Sequence, residues 1–254
     1  MVGAVGALLL GWLVNTPPGL LGKADAVGYA VCHRIDLRSF HLGERTLPLC
    51  ARCTGMHLGA LLGLGYQALL RRRKAGMPPM WILGTLGLLA LGFAADGLNS
   101  FLSLIPGMPT LYTPMNWLRL LTGTGMGLVM AALLYPAFNQ TVWKDWQPGA
   151  ALEGWRPLGG LFALALLLDV VVLTENPLVL YPLALLSAAG VLVELTLVYT
   201  MITTMLLRKD NQFLYVRQML LPLIAGLGLG LTQIAVLDFL RFLLTGTWDG
   251  FHLG

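Results

Sequence analysis

Apolar runs, each closed by prolines, glycines or a burst of charge, set the rhythm of this chain. The first covers residues 2–15 and stops at "NTPPG", where two prolines remove backbone donors and turn the preceding residue away from helix. A polar stretch from Lys23 to Cys53 follows and reads as part short helix, part loop. Further runs predict helices over Thr54–Leu70, Pro79–Ala95, Trp117–Phe138, Pro157–Thr174, Leu178–Leu207 and Val216–Leu244. Between the second and third of these lies Asp96–Asn116, apolar but broken by three prolines, which is expected to lie at a membrane interface or to re-enter. None of the runs alternates apolar with polar, and several approach the roughly 20 residues that cross a bilayer, so helices rather than a barrel follow. The fold class expected is all-α: a polytopic transmembrane helical bundle of about seven spans, or six if the first segment does not cross. Two regions are expected, residues 1–138 around a Cys/His motif and residues 139–254 as a C-terminal three-helix transmembrane part.

Composition agrees with the pattern. Hydrophobic residues make up 57% of 254 and charged residues 11%, with a mean hydropathy of +0.75; soluble domains carry about a quarter charged residues. The first residues lack a basic leader and a clear cleavage site, so the segment is expected to be retained rather than removed as a signal peptide. The net charge of +4 comes from loop Lys and Arg. It speaks for orientation in a membrane rather than for nucleic acid, and membrane lipids and subunits of a membrane complex are the expected partners. Placing Arg71–Lys74 on the cytoplasmic side collects nine of the 16 basic residues there, with Lys144, Arg156, Arg208, Lys209 and Arg217. The polar stretch before Thr54 then faces outward.

That stretch holds the chemistry. All three cysteines and three of the four histidines fall within residues 30–59; His252, near the C-terminus, has nothing around it to suggest a role. Cys50-Ala-Arg-Cys53 is a C-x-x-C, and His57 follows one helical turn after Cys53. Cys32 and His33 precede by a gap that one loop can close, with His41 inside it. Three Cys and one His form a regular tetrahedral zinc set. The candidate metal ligands are therefore Cys32, His33, Cys50, Cys53 and His57, with zinc first among the metals. Two other readings stay open. A C-x-x-C at a helix N-terminus favours thiolate and thiol–disulfide chemistry, although an odd cysteine count argues against a complete relay in one chain. A structural disulfide, or thiols simply buried in a bundle, is the plainest account.

With the orientation above, Asp96 and Asn99 end one helix and Asn116 and Arg119 begin the next at the same membrane face as the cysteines. Together with Arg38 they form a candidate polar pocket, with Asp96 and Arg119 as the natural ion pair. Such a pocket could take an anionic headgroup or a polyprenyl-phosphate type of ligand, because Arg offers phosphate a two-pronged fork. Glycines at 55, 59 and 63, at 123 and 127, and at 226 and 230 form small-residue ridges suited to close helix packing. No nucleotide loop, Rossmann fingerprint, Ser-His-Asp arrangement or H-E-x-x-H is present.

C-H-x4-R-S-F at Cys32–Phe40, P-L-C-A-R-C-T-G at Pro48–Gly55, D-G-x-N at Asp96–Asn99 and N-x-x-R-x-x-T-G at Asn116–Gly123 occur in that order. Over about residues 28–130 the chain resembles the DUF2085 family of predicted prokaryotic integral membrane proteins. The resemblance implies a membrane protein and no particular reaction. It departs at His57, where an aromatic is usual in the family, so it does not imply His57 as a shared ligand. Residues 140–254 lie outside it; within their spans stand Asp169, Glu194 and Asp238, which could line a transport path. The expected function is an integral membrane protein whose extracytoplasmic Cys/His cluster caps a pocket for an anionic lipid-like ligand. The alternatives are a non-catalytic subunit of a larger complex and a membrane thiol–disulfide oxidoreductase.

Overall fold

Apolar surroundings leave the backbone no partner outside its own segment, and the chain answers with helices. The structure, a computed structural model, describes residues 2–250, and His252 lies outside them. Among the described residues the helices are α1 (Val2–Asn15), α2 (Gly19–Val31), α3 (Ala51–Leu70), α4 (Met80–Leu102), α5 (Asn116–Val142), α6 (Trp155–Leu173), α7 (Pro177–Leu206) and α8 (Leu220–Thr245). Strand is confined to a two-residue hairpin, β1 (His41–Leu42) with β2 (Arg45–Thr46), and a short parallel pair, β3 (Lys74–Gly76) with β4 (Gln147–Ala150). The all-α bundle expected from the sequence is what forms.

Five helices, α4 to α8, are long and apolar enough to cross a membrane. A sixth span is reached if α1 and α2 count as one, bent by 105° at the Pro17–Pro18 break. In that elbow Lys23 donates to the carbonyls of Leu13 and Thr16 at the end of α1. The run at Thr54–Leu70 is a helix, α3, but it does not reach the hydropathy of a span, because His57 and Gln67 are buried inside it beside its glycines. Nine of its 20 residues are buried.

The tightest packing in the molecule is α3 against α5. A methyl group on Gly59 would come 2.6 Å from the carbonyl oxygen of Thr124. One on Gly123 would collide with the carbonyl of Arg52, and one on Gly127 with that of Met56. The two ridges read from the sequence therefore interlock backbone to backbone. Gly226 repeats the device between α8 and α7, where an added methyl would lie 2.5 Å from the Thr196 carbonyl.

Loop contacts sort the helix ends into two rims. At one rim β3 lies on β4, Trp143 bridges Phe213, and Arg73 pairs with Asp145, stacks 4.2 Å from the Trp143 ring and donates to the Leu214 carbonyl. The loops after α3, α5 and α7, with their basic residues, are thus gathered together. The opposite rim carries the start of α3 and α5 and the ends of α2, α4 and α8. One boundary differs from expectation in a way that matters: α4 continues past Ala95 to Leu102. Asp96 and Asn99 therefore sit in its last turns, and the segment 103–115 is an irregular loop rather than a re-entrant helix.

Replacing Gly59 or Gly127 by Leu should lower the unfolding temperature in detergent, at the upper end of the roughly 1–3 kcal/mol typical of overpacking, because the obstructing atoms are backbone. Gly84→Ala, where the added methyl meets nothing within 4 Å, should leave that temperature unchanged.

Candidate functional site

Two helix ends deliver the three thiols. Cys32 is the residue that ends α2, Cys50 is the residue that begins α3, and Cys53 stands in the first turn of α3. The intervening excursion is folded back by the β1–β2 hairpin and pinned by buried Phe40, Leu47 and Leu49. Gly28 lets the backbone at Pro48 press directly on α2, since a methyl group there would overlap the Pro48 carbonyl. The three Sγ atoms consequently lie within 4.8 Å of one another. The Cys50 N–H donates to Cys32 Sγ at 3.3 Å. All three cysteines are free in this structure. Their surroundings are apolar: Trp12, Val27, Ala188, Val191 and Ile234 pack around them.

Burial would ordinarily suppress ionisation of all three thiols. Instead hydrogen bonds from the Cys50 and Cys53 thiols hold the Cys32 thiol well below its usual range. Cys50, donating to Cys32 and buried, is pushed up to about 12.

The predicted histidines are elsewhere. His57 Nδ1 lies 2.9 Å from Glu194 Oε2 on α7, and Gly190 leaves room for its ring stem. A carboxylate buried among helices needs such a partner, and this requirement takes the imidazole away from the thiols. His33 Nδ1 accepts the Ile35 N–H at 3.1 Å, and burial holds its pKa below the usual histidine range. His41 faces Asp36 at 3.1 Å near the surface. Among the described residues, the group of possible metal ligands is Cys32, Cys50 and Cys53, without His33 or His57.

Beside the thiols the polar residues assemble differently from the expected pairing. Asp96 pairs with Arg52, not with Arg119: the Arg52 Nε donates to Asp96 Oδ2 at 3.2 Å and its Nη2 reaches the Asp96 carbonyl and Ser100 Oγ. Arg52 lies in the first turn of α3 and faces α4, while Arg119 points along the start of α5. Tyr112 donates to Asp96 Oδ1 at 2.7 Å, and burial and that carboxylate push its phenol up to about 12. Asn99 is spent on the loop after α4, donating to the Tyr112 carbonyl and accepting the Leu111 N–H. Asn116 accepts from Arg119 Nη1 at 2.8 Å and donates to the Leu37 and Ser39 carbonyls at 3.4 and 3.3 Å. Arg38 Nη2 donates to the Ser100 carbonyl at 2.6 Å and to Ser103 Oγ at 3.3 Å. Arg38 and Arg119 both line a cleft of about 400 Å³, with Ile35, Leu37, Leu104 and Pro114.

Sequence reasoning missed Arg52, Ser100 and Tyr112. Arg52 had a signal, since it sits inside the C-x-x-C, but its partner is 44 positions away. A longer-range brace was equally hidden: Arg241 of α8 donates to the carbonyls of Tyr29 and Cys32 at 2.5 and 2.6 Å, closing the open end of α2 beneath the first thiol. The three buried carboxylates of the C-terminal helices each bond a different neighbour. Asp169 accepts from Thr124 at 2.5 Å, Glu194 meets His57, and Asp238 accepts from Trp12 at 3.0 Å.

Helices, thiols and buried arginines together define a helical membrane protein with a cluster of three cysteines at one rim. Residues 32–133 match the family described as predicted membrane protein DUF2085, which spans every thiol and every residue of the arginine cleft. The resemblance read from the ordered motifs thus holds over nearly the same residues. An uncharacterised protein of Methanocaldococcus jannaschii is 27% identical over 124 residues, covering 48% of this chain and 72% of that relative. No solved structure matches the chain.

Asp96→Asn should destabilise the protein by about 3 kcal/mol, the lower end for breaking a buried pair, because Arg52 keeps some contact with solvent. Thermal unfolding in detergent measures this. The double variant Arg52→Met, Asp96→Leu should recover part of the loss.

Proposed function

We propose that the three thiols bind one metal ion, zinc first, and that this module faces the outside of the cell membrane, where it caps a pocket for an anionic lipid-like ligand. The observation that carries the reading is the convergence of three sulfurs within 4.8 Å in apolar surroundings. Thiolate sets of this kind suit zinc and copper(I), and a zinc ion held by three protein ligands keeps a fourth position open. Among the described residues no further Cys, His, Asp or Glu joins the three. The metal would therefore hold the end of α2 to the start of α3 and retain a coordination place for a group from outside the chain. Support for the orientation is the gathering of basic loops at the opposite rim. Support for the pocket is the cleft lined by Arg38 and Arg119 one helix away from Cys50.

Protein purified without chelators should carry about one zinc per chain by elemental analysis. Cys32→Ser, Cys50→Ser and Cys53→Ser should each lose most of it, whereas His33→Ala and His57→Ala should keep it. Below about a tenth of an equivalent of zinc, iron and copper combined, the metal reading is wrong. Acid should weaken binding. Cys50 holds its proton at neutral pH, so at least one proton leaves per ion bound, and affinity should fall about tenfold or more for each pH unit lowered.

A further inference from the structure

Arg38 and Arg119 are 8% and 5% exposed, and each donates only to uncharged groups. The carboxylate at hand is already paired with Arg52: Asp96 takes the Tyr112 hydroxyl on one oxygen and Arg52 and Thr122 on the other. Among the described residues neither Arg38 nor Arg119 makes an ion pair, unlike Arg34, Arg45, Arg52, Arg71 and Arg73. A guanidinium cannot shed its proton to escape burial, and an uncompensated buried charge is strongly unfavourable. Two such charges on one cleft call for a counter-ion.

The shape and dipoles of the cleft narrow the choice. The 27-residue helix α5 begins at Asn116 beside it, and no side chain caps that N-terminus, so the positive end of the helix dipole adds to the arginines. Apart from Ser103, the other walls are apolar, Ile35, Leu37, Leu104 and Pro114. Leu37 is 77% exposed and Leu111, in the adjoining loop, 87%; side chains of this kind on a membrane rim meet lipid. The occupant must then be doubly charged at its head and apolar beyond it.

Resting on the anionic-pocket reading above but not on the metal, we infer that the cleft binds the headgroup of a lipid phosphate monoester. A phosphomonoester carries about −1.5 to −2 charges near neutral pH and can accept a fork from each arginine, whereas a phosphodiester headgroup offers about one charge. Charge balance with Arg38 and Arg119 requires the former. Asn116 acts as a positioning residue, fixing Arg119 through its side-chain oxygen.

The experiment uses the full chain, delipidated in neutral detergent. It compares dioleoyl phosphatidic acid, dioleoyl phosphatidylglycerol and inorganic phosphate by intrinsic fluorescence titration and thermal shift, with zinc content measured on the same samples. Phosphatidic acid should bind at least about tenfold more tightly than either of the others. Arg38→Gln and Arg119→Gln should each abolish that preference, and Arg45→Gln, at an exposed site outside the cleft, should keep it. Because Arg38 and Arg119 bond only uncharged groups, Arg38→Gln and Arg119→Gln should lower the unfolding temperature of the ligand-free chain only slightly. A variant that unfolds outright would overturn the inference, since the arginine would then be structural. Equal binding of the two lipids overturns it while leaving the pocket reading standing. Binding of neither lipid overturns both, and inorganic phosphate binding as tightly as phosphatidic acid rules out the lipid part. Metal lost in Cys32→Ser with lipid preference retained separates the two readings of this rim.

Discussion

Backbone lying on backbone between α3 and α5 is the constraint from which the functional rim follows. Without side chains at Gly55, Gly59, Gly123 and Gly127 the two helices close to a distance that a methyl group would forbid. Apolar association offers little drive inside lipid, so van der Waals contact at this range is what holds such helices together. The same closeness fixes their rotation. With the Arg52 carbonyl seated on Gly123, the first turn of α3 lies against the third turn of α5. Cys50, Cys53 and Arg119 are set relative to one another by that contact.

Around the seam, polar groups are distributed by the need to satisfy one another. Arg52 and Asp96 neutralise each other and recruit Ser100, Tyr112 and Thr122. His57 and Glu194 do so deeper between α3 and α7. Where the accounting closes, the residues act as struts. Among the described residues, Arg38 and Arg119 make no ion pair and bond only carbonyl, hydroxyl and amide oxygens.

How much of this was legible in the sequence depends on range. Helices α4 to α8 were readable because a long apolar run has few other outcomes in a membrane protein. Asp96 looked like the start of a loop because its compensation by Arg52 depends on how α3 rotates against α4. The cysteine triad was legible as a cluster, since two members share a C-x-x-C and the third needs one loop. The histidines beside them were not, because His57 is claimed by Glu194 from a helix 137 residues away. The glycine ridges gave the packing faces that α3 and α5 use. In α3 the same glycines, with Gln67 and His57, lower the hydropathy of a helix that reads as a span in the sequence.

Arg241 carries a consequence for how separable this architecture is. The matched segment ends at residue 133, yet the peptide carbonyls of Tyr29 and Cys32 are held by a cation more than a hundred residues beyond it. A graft of the matched segment alone would carry all three sulfurs and lose the clasp that sets one of them.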